Sequence, residues 1–161
     1  MNTAPVRVLM VCLGNICRSP LAEGILKAQA AVRGAAVVVD SAGISNYHEG
    51  EPPHRGSIDI ARERGLPIDD QRSRPVRPSD FHDFDWLLAM DTSNKNALLH
   101  MAPPGFDRSR VKLLLDFAEF GPRDVPDPYY TGGFGEVFDL IAAGCAGFLD
   151  HLGVAPAGSP S

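Results

Sequence analysis

Cysteine is scarce in this chain, with three residues among 161, at positions 12, 17 and 145. An odd number so unevenly spread argues against an extracellular disulfide framework, and reduced thiols are the expectation. No apolar run approaches the roughly 18 residues that a membrane-spanning helix needs. The opening MNTAPVRV enters a strand pattern directly, without the basic-then-apolar order of a secretion signal. A soluble cytoplasmic protein with no membrane partner is expected. Excess positive charge is also missing, since 15 Lys and Arg against 20 Asp and Glu leave a formal net charge of −5. That balance argues against general nucleic-acid binding, which neutralises phosphates over a basic surface, and RSRPVR and DRSRVK read as solvated loops. The histidines at 54, 82, 100 and 151 show no paired ligand spacing, and no Cys/His cluster has zinc-site form. No metal is expected.

What the chain does contain is an ordinary globular composition, 44% hydrophobic and 22% charged. Its length suits one domain that buries roughly two-thirds of its unfolded surface. Hydrophobic runs alternate with helical patterns, as in a parallel sheet covered on both faces. Val6 to Val11, Ala36 to Ser41, Phe84 to Met90 and Arg110 to Asp116 read as strands. Pro20 to Arg33, His54 to Arg64, Thr92 to His100 and Phe134 to Leu152 read as helices. The expected fold is a single-domain α/β three-layer sandwich, a four-stranded parallel sheet with helices on both faces. In the last helix Phe134, Val137, Phe138, Ile141, Cys145, Phe148, Leu149 and Leu152 recur at three- and four-residue steps, which puts Cys145 on a buried stripe as a structural cysteine. The tail GVAPAGSPS, residues 153–161, has linker composition and is expected to be disordered. There is no internal repeat and no second domain.

The other two cysteines fall in one stretch, RVLMVCLGNICRSPLAEG, from Arg7 to Gly24. In an open α/β sheet, ligands bind beyond the carboxyl ends of the strands, and Cys12 lies at that end of the first strand. The five residues LGNIC between Cys12 and Arg18 suffice for a small loop whose N–H groups converge on one point, an anion nest ahead of a helix N-terminus. Ser19 suits the helix cap and Pro20 the first helical position. Gly14 permits the backbone turn, and Asn15 tolerates a left-handed conformation. Converging amides, a helix N-terminus and a neighbouring guanidinium all favour a thiolate over a thiol at Cys12. Arg18 can bind two equatorial oxygens of a phosphoryl group at once, and the Ser19 hydroxyl can donate to the sulfur when it leaves. These residues fit a thiolate attacking a phosphate monoester.

CLGNICRS is similar to the C-x5-R-[ST] signature of protein tyrosine phosphatases, in the form carried by the low-molecular-weight family. The resemblance spans nearly the whole chain, with DSAG at Asp40 to Gly43, AMDTSN at Ala89 to Asn94 and DPYY at Asp127 to Tyr130 beside the signature. It implies a phosphatase domain over residues 1–152 with its phosphate-binding loop after the first strand. It also implies hydrolysis of phosphotyrosine in protein substrates through a cysteinyl-phosphate intermediate, with inorganic phosphate as product, by a monomer that needs no cofactor. Carried over residue by residue, it makes Cys12 the nucleophile, Arg18 the phosphate clamp and Asp127 the general acid, on a loop stiffened by Pro126 and Pro128. Leu13, Gly14, Asn15, Ile16, Cys17 and Ser19 complete the substrate-binding loop, with Asn15 and Ser19 shaping and assisting it. Tyr47 and Tyr129 would wall the phosphotyrosine cleft and His48 adjust its rim, while Tyr130 is a candidate phosphorylation site. The resemblance further implies that Cys17 folds back toward Cys12. Once peroxide has made Cys12 a sulfenic acid, the two would condense to a protective disulfide. The plainer reading of Cys17 is a small side chain packed under the loop.

Two departures from the family pattern stand out. Gln71 occupies the place where relatives commonly have a histidine that braces the loop asparagine; its amide can still hydrogen-bond Asn15 but carries no charge. In EPPHRGS, His54-Arg55-Gly56 replaces the usual Asp-Pro-Arg. Other functions compete with tyrosine dephosphorylation. An arsenate reductase needs further cysteines, and only Cys145 lies downstream. A phosphotyrosine-binding module could dispense with the nucleophile and acid, yet both are present. Protein-arginine phosphatases on this scaffold tend to have threonine where this loop has Ile16, whose extra methyl group crowds the space a water would need, so Ile16 favours tyrosine. Arg72, Arg74 and Arg77 are candidates for selecting acidic phosphopeptides.

Overall fold

The computed structural model describes residues 4–154, without the side chains of residues 130 and 131. Strands β1 (Val6–Cys12), β2 (Val37–Gly43), β3 (Trp86–Ala89) and β4 (Val111–Leu113) form one parallel sheet in the order β2-β1-β3-β4. The central strand β1 carries the unbroken run Val8-Leu9-Met10-Val11, all four fully buried, as a strand covered on both faces requires. Alternation along it divides the core. Val8 and Met10 face α1 (Arg18–Arg33) and α6 (Phe134–His151), where Ile25, Leu26, Ile141 and Phe148 meet them. Leu9 and Val11 point the other way, to Phe81 of α3 (Asp80–Asp83) and Leu98 of α4 (Thr92–Met101). A further helix, α2 (Arg55–Glu63), lies against α6 on the first face. This is the expected α/β three-layer sandwich.

The fourth strand is shorter than its hydrophobic run. The chain leaves the sheet after Leu113 in a 3-10 turn over Leu114–Phe117, because the Asp116 carboxylate accepts the Leu113 N–H at 3.2 Å and Leu114 and Leu115 turn under α6. Gly144 makes room for that turn, since a Cβ there would sit 2.8 Å from Leu114 Cγ. Cys145 is fully buried on the α6 stripe, as its spacing predicts. Gly153 and Val154 are tied back, with Val154 N–H donating to Leu149 O at 3.0 Å; the rest of the expected disordered tail lies outside the described residues. Among the described residues no helix is long and apolar enough to cross a membrane.

The order β2-β1-β3 places the switch point of the sheet beside the carboxyl end of β1, where crossovers leave in opposite directions and a crevice opens. Cys12 ends β1 opposite Gly43, and β3 ends at Ala89 beside Val11. The loops after β1, β2 and β3 therefore converge there.

Candidate active site

The loop from Cys12 to Arg18 is held from behind by bonds whose hydrogen positions can be assigned. Arg74 N–H donates to Asn15 Oδ1 at 3.0 Å, and a backbone amide can only donate. The Asn15 amide nitrogen therefore faces two hydroxyls, donating to Ser19 Oγ at 2.8 Å and Ser41 Oγ at 3.0 Å. Both hydroxyls, already accepting, pass their own protons onward. Ser19 Oγ lies 3.0 Å from Cys12 Sγ and donates to the sulfur, and Ser41 donates to Glu23 Oε1 at 2.7 Å. Lys27 Nζ closes the chain at 2.6 Å on the other Glu23 oxygen. Asn15 has φ 56°, the left-handed conformation its residue type suggested, which costs a non-glycine residue on the order of 1 kcal/mol unless its surroundings compensate. Its three side-chain bonds are that compensation. The end of β2 passes directly behind the loop at Gly43, where a Cβ would lie 3.0 Å from Leu13 O and from the Gly14 carbonyl carbon.

Ser19 does not cap the helix. α1 begins at Arg18, with Cys17 at the cap position and no side-chain cap bond, and Pro20 is the third helical residue rather than the first. The serine hydroxyl turns inward to the sulfur because Asn15 supplies it with a donor, and this leaves the first amides of the helix without a side-chain cap. Asn15 and Ser19 are therefore buried behind the loop and do not line the cavity in front of it.

Arg18 is only 2% exposed and stands between two carboxylates. Its Nη1 donates to Asp91 Oδ2 at 2.6 Å and to Val125 O at 2.9 Å, and its Nη2 lies 3.6 Å from Asp127 Oδ2. Burial alone would lower the Arg18 pKa, but the Cys12 sulfur, Asp91 and Asp127 outweigh it and raise the value, so the guanidinium stays charged. Asp91 performs two tasks, since its other oxygen caps α4 by accepting Asn94 N–H at 2.7 Å. In front of Cys12 and Arg18 opens a cavity of about 360 Å³ whose walls include Leu13, Gly14, Ile16, Cys17, Tyr47, His48, Asp127 and Tyr129. A cysteine sulfur, a fixed guanidinium and a carboxyl group thus line one cavity, the set that phosphoryl transfer to a thiolate requires.

Comparison with known proteins agrees with this geometry. The model of the low molecular weight phosphotyrosine protein phosphatase family matches residues 7–155. The low molecular weight protein-tyrosine-phosphatase YfkJ of Bacillus subtilis is 48% identical over 151 residues, covering 91% of this chain and 96% of that protein. Its crystal structure superposes with a TM-score of 0.89, covering 95% of this chain and 98% of the other at 44% identity. A protein tyrosine phosphatase from Entamoeba histolytica gives 0.87 at 37% identity over 92% and 97% of the two chains. The Drosophila arginine phosphatase DARP gives 0.85 at 34% identity over 90% and 96%.

This chain belongs to the low-molecular-weight phosphotyrosine protein phosphatase family. It is a protein-tyrosine phosphatase.

Within the phosphatase, the two tyrosines expected to wall the cleft are unequally placed. Tyr47 is 82% exposed and meets His48 edge-on at 4.8 Å, whereas Tyr129 is half-exposed and leans on the His54 ring at 5.6 Å. The Tyr130 side chain lies outside what the structure describes. Cys17 is buried, and burial first, then the charges of Cys12 and Asp127, push its thiol up to about 12, against the opposing pull of Arg18 and Ser57. Gln71 does not brace Asn15. Its amide nitrogen donates to Pro20 O at 3.1 Å, and Ser41, Ser19 and Arg74 N–H take up all the bonding capacity shown for the asparagine. Arg74 is likewise no reader of acidic peptides: Asp80 holds its guanidinium with two bonds of 3.0 and 3.1 Å and Asp40 with another of 3.0 Å, so its task is to fix the backbone N–H that orients Asn15. Arg72 folds onto the carbonyls of Asp69 and Gln71. Among the described residues no cluster of three His, Cys, Asp or Glu could hold a metal ion.

Sequence reasoning gave Asp91 no role, although it opens the DTSN of a matched segment. The available signal was an N-cap carboxylate at the carboxyl end of β3, the edge of the sheet where Cys12 also lies. Glu23 was missed for a similar reason, since a helical glutamate four residues before a lysine reads as a surface pair.

Proposed function

We propose that the phosphatase removes phosphate from protein phosphotyrosine in two steps, with Cys12 as nucleophile, Arg18 as clamp and Asp127 as general acid and then base. In the first step the Cys12 thiolate forms an S–P bond as the P–O bond to the tyrosine breaks, and Asp127 gives its proton to the departing oxygen. In the second, water attacks phosphorus, Asp127 takes its proton, the S–P bond breaks and inorganic phosphate leaves. Ser19 donates to the sulfur in both resting and leaving states. The observation that carries this reading is the meeting of Cys12, Arg18 and Asp127 on the floor of one cavity, with Arg18 Nη2 3.6 Å from Asp127 Oδ2. An occupied phosphate position would replace that contact by one between the guanidinium and the phosphoryl oxygens.

Leu13, Gly14, Ile16 and Cys17 line the same cavity, and Tyr47 and Tyr129 offer aromatic surface at its mouth for a phosphotyrosyl ring. The buried Ile16 side chain favours phosphotyrosine over phosphoarginine. Cys145, buried 123 residues from Ala22 in sequence but bonded to its carbonyl, is out of reach as a resolving thiol, which disfavours arsenate reduction. The three free thiols support a reducing compartment, the cytoplasm, and the protein is taken to act as a monomer. A kinetic panel of phosphotyrosine, phosphoserine and phosphoarginine substrates tests the reading with wild type and Cys12→Ser. Preference for phosphoarginine, or turnover by the serine variant, would overturn it.

A further inference from the structure

The segment that carries Asp127 is short and closed by local bonds, Gly132 N–H donating to Pro128 O at 2.9 Å among them. Asp127 caps the short helix α5 (Pro128–Thr131) by accepting Tyr129 N–H at 3.0 Å. Next come Gly132 and Gly133, with φ 75° and 71°, and a Cβ at either would meet nothing within 4 Å. Two glycines with positive φ join α5 to α6, so contacts made from neighbouring elements bear on the direction in which this segment is held. Arg18 supplies one anchor, through Val125 O and Asp127. A second anchor is the ring of His54, which meets Tyr129 edge-on at 5.6 Å and stacks on Phe134, the first residue of α6, at 5.2 Å and 19°.

His54 is itself firmly placed, and by the phosphate-binding loop. Its backbone N–H donates to Ile16 O at 2.7 Å, and at the third residue of α2 the Ser57 hydroxyl donates to Cys17 O at 3.0 Å. Its Nδ1 accepts Gly56 N–H at 3.0 Å and so caps α2, which puts the ring proton on Nε2. The neighbouring Gly56 provides the space Phe134 fills, since a Cβ there would overlap the phenyl ring. One residue therefore bonds the nucleophile's loop through its backbone and touches the acid's segment through its ring, at the position where the chain departs from the usual Asp-Pro-Arg.

We propose that His54 is a positioning residue for the general acid: its ring, with Phe134 seated over Gly56, sets Asp127 and the Tyr129 wall at their working distance from the phosphate-binding loop. This rests on Asp127 being the general acid. Loss of the ring lets the segment drift on its glycine joints. A displacement near 1 Å at a reacting group can cost up to about 10²-fold. That loss should fall on substrates whose leaving group needs a proton, and Km should rise for all aryl phosphates as Tyr129 loosens.

The full-length protein with His54→Asn, His54→Phe or Gly56→Ala tests this on nitrophenyl phosphate and phenyl phosphate, beside Asp127→Asn. Asparagine keeps a capping oxygen but no ring; phenylalanine keeps a ring but no cap. His54→Asn should lose about tenfold or more in kcat on phenyl phosphate and under about threefold on nitrophenyl phosphate. His54→Phe should recover most of that loss despite the lower melting temperature of a helix without its cap. Gly56→Ala, which pushes Phe134 away with His54 intact, should reproduce the asparagine pattern. Equal losses on both substrates in His54→Asn, or activity that follows melting temperature across the three variants, would overturn the proposal. Asp127→Asn separates the two layers. If it shows the leaving-group dependence and His54→Asn does not, only the role of His54 falls; if it shows none, the general acid lies elsewhere.

Discussion

The two halves of this active site are built in opposite ways. The phosphate-binding loop is buried and cross-braced, with Asn15 bonded on three sides and Ser19, Ser41, Glu23 and Lys27 connected behind it in one chain. The segment carrying Asp127 is partly exposed, follows a surface loop and ends in two glycines of positive φ at which a Cβ would meet nothing within 4 Å. The difference reflects what each half must do. In the proposed mechanism the nucleophile and its anion nest act by preorganisation, and reorganisation at the moment of reaction would forfeit their electrostatic advantage. The proton donor of that mechanism has to admit a substrate, approach the leaving oxygen and later meet water, and contacts across the cleft from Arg18 and His54 add to the short-range bonds of its own segment. Damage to the two halves should therefore differ in kind: changes behind the loop slow all substrates alike, and changes to the acid segment depend on the leaving group.

The largest effect tests the loop. Cys12→Ser should abolish measurable turnover, because a serine hydroxyl does not ionise in that nest, yet phosphate should still bind because the amides and Arg18 remain. Calorimetric titration with inorganic phosphate checks the second half of the statement. Loss of both binding and turnover would show that the sulfur, and not the surrounding amides, organises the site.

Asp127→Asn addresses the other half. kcat should fall by roughly 10²–10⁴ on phenyl phosphate and far less on nitrophenyl phosphate, whose leaving group needs little protonation. Steady-state kinetics over a series of substituted phenyl phosphates would give a steeper dependence on leaving-group pKa than in the wild type. An unchanged slope would remove the contrast between the halves.

Glu23→Gln offers a subtler probe of the bracing. The amide keeps the shape but withdraws the charge that accepts from Ser41 and Lys27, and hydrogen bonds to charged groups contribute about 1.5–3 kcal/mol. About a tenfold fall in kcat, equal for both phenyl phosphates, is the expected result, since 1.4 kcal/mol corresponds to a factor of ten. A loss confined to the poorer leaving group would mean that the chain behind the loop acts on the acid instead.

What could be read from the sequence follows the same division. Cys12 and Arg18 are separated by five residues, so one contiguous motif displays their geometry, and the unbroken apolar run of β1 marks a strand covered on both faces. Arg18 and Asp91, however, are 73 residues apart, and nothing local marks the pairing. Arg74 sits among other arginines and reads as solvated, but Asp40 and Asp80 reach it from 34 and 6 residues away and enclose it. Ser19 has the residue type and position of a helix cap. Only the presence of Asn15 and Cys12 on the inner side turns its hydroxyl away from that task. Local chemistry is written locally, whereas the orientation of each group is decided by partners that the fold brings in.

The smallest expected effect concerns Cys17, which belongs to the rigid half by position but whose proposed role needs movement. Its thiol is pushed up to about 12, chiefly by burial, so at neutral pH it is protonated and a slow nucleophile. Peroxide converts the Cys12 thiolate to a sulfenic acid, releasing hydroxide. Cys17 can then attack that sulfur only as its thiolate, expelling the sulfenic oxygen as water once protonated and leaving a disulfide. Oxidation also removes the Cys12 charge that helps hold Cys17 protonated, but the burial remains. Disulfide protection should therefore grow with pH. After a brief peroxide pulse and then a thiol reductant, wild type and Cys17→Ala should recover alike at pH 6.5, whereas at pH 8.5 the wild type should recover a larger fraction. The same raised thiol has a stability signature whose sign follows from linkage. A group that holds its proton more tightly when folded costs nothing below about 9 and destabilises the fold as pH rises from there toward about 12. Melting curves between pH 8 and 11 should accordingly fall less steeply for Cys17→Ala than for the wild type, with Cys145, also raised by burial, acting in the same direction in both. Equal recovery at both pH values would leave Cys17 as packing beneath a loop that does not bend, and the division between the braced and the movable halves would then hold without exception.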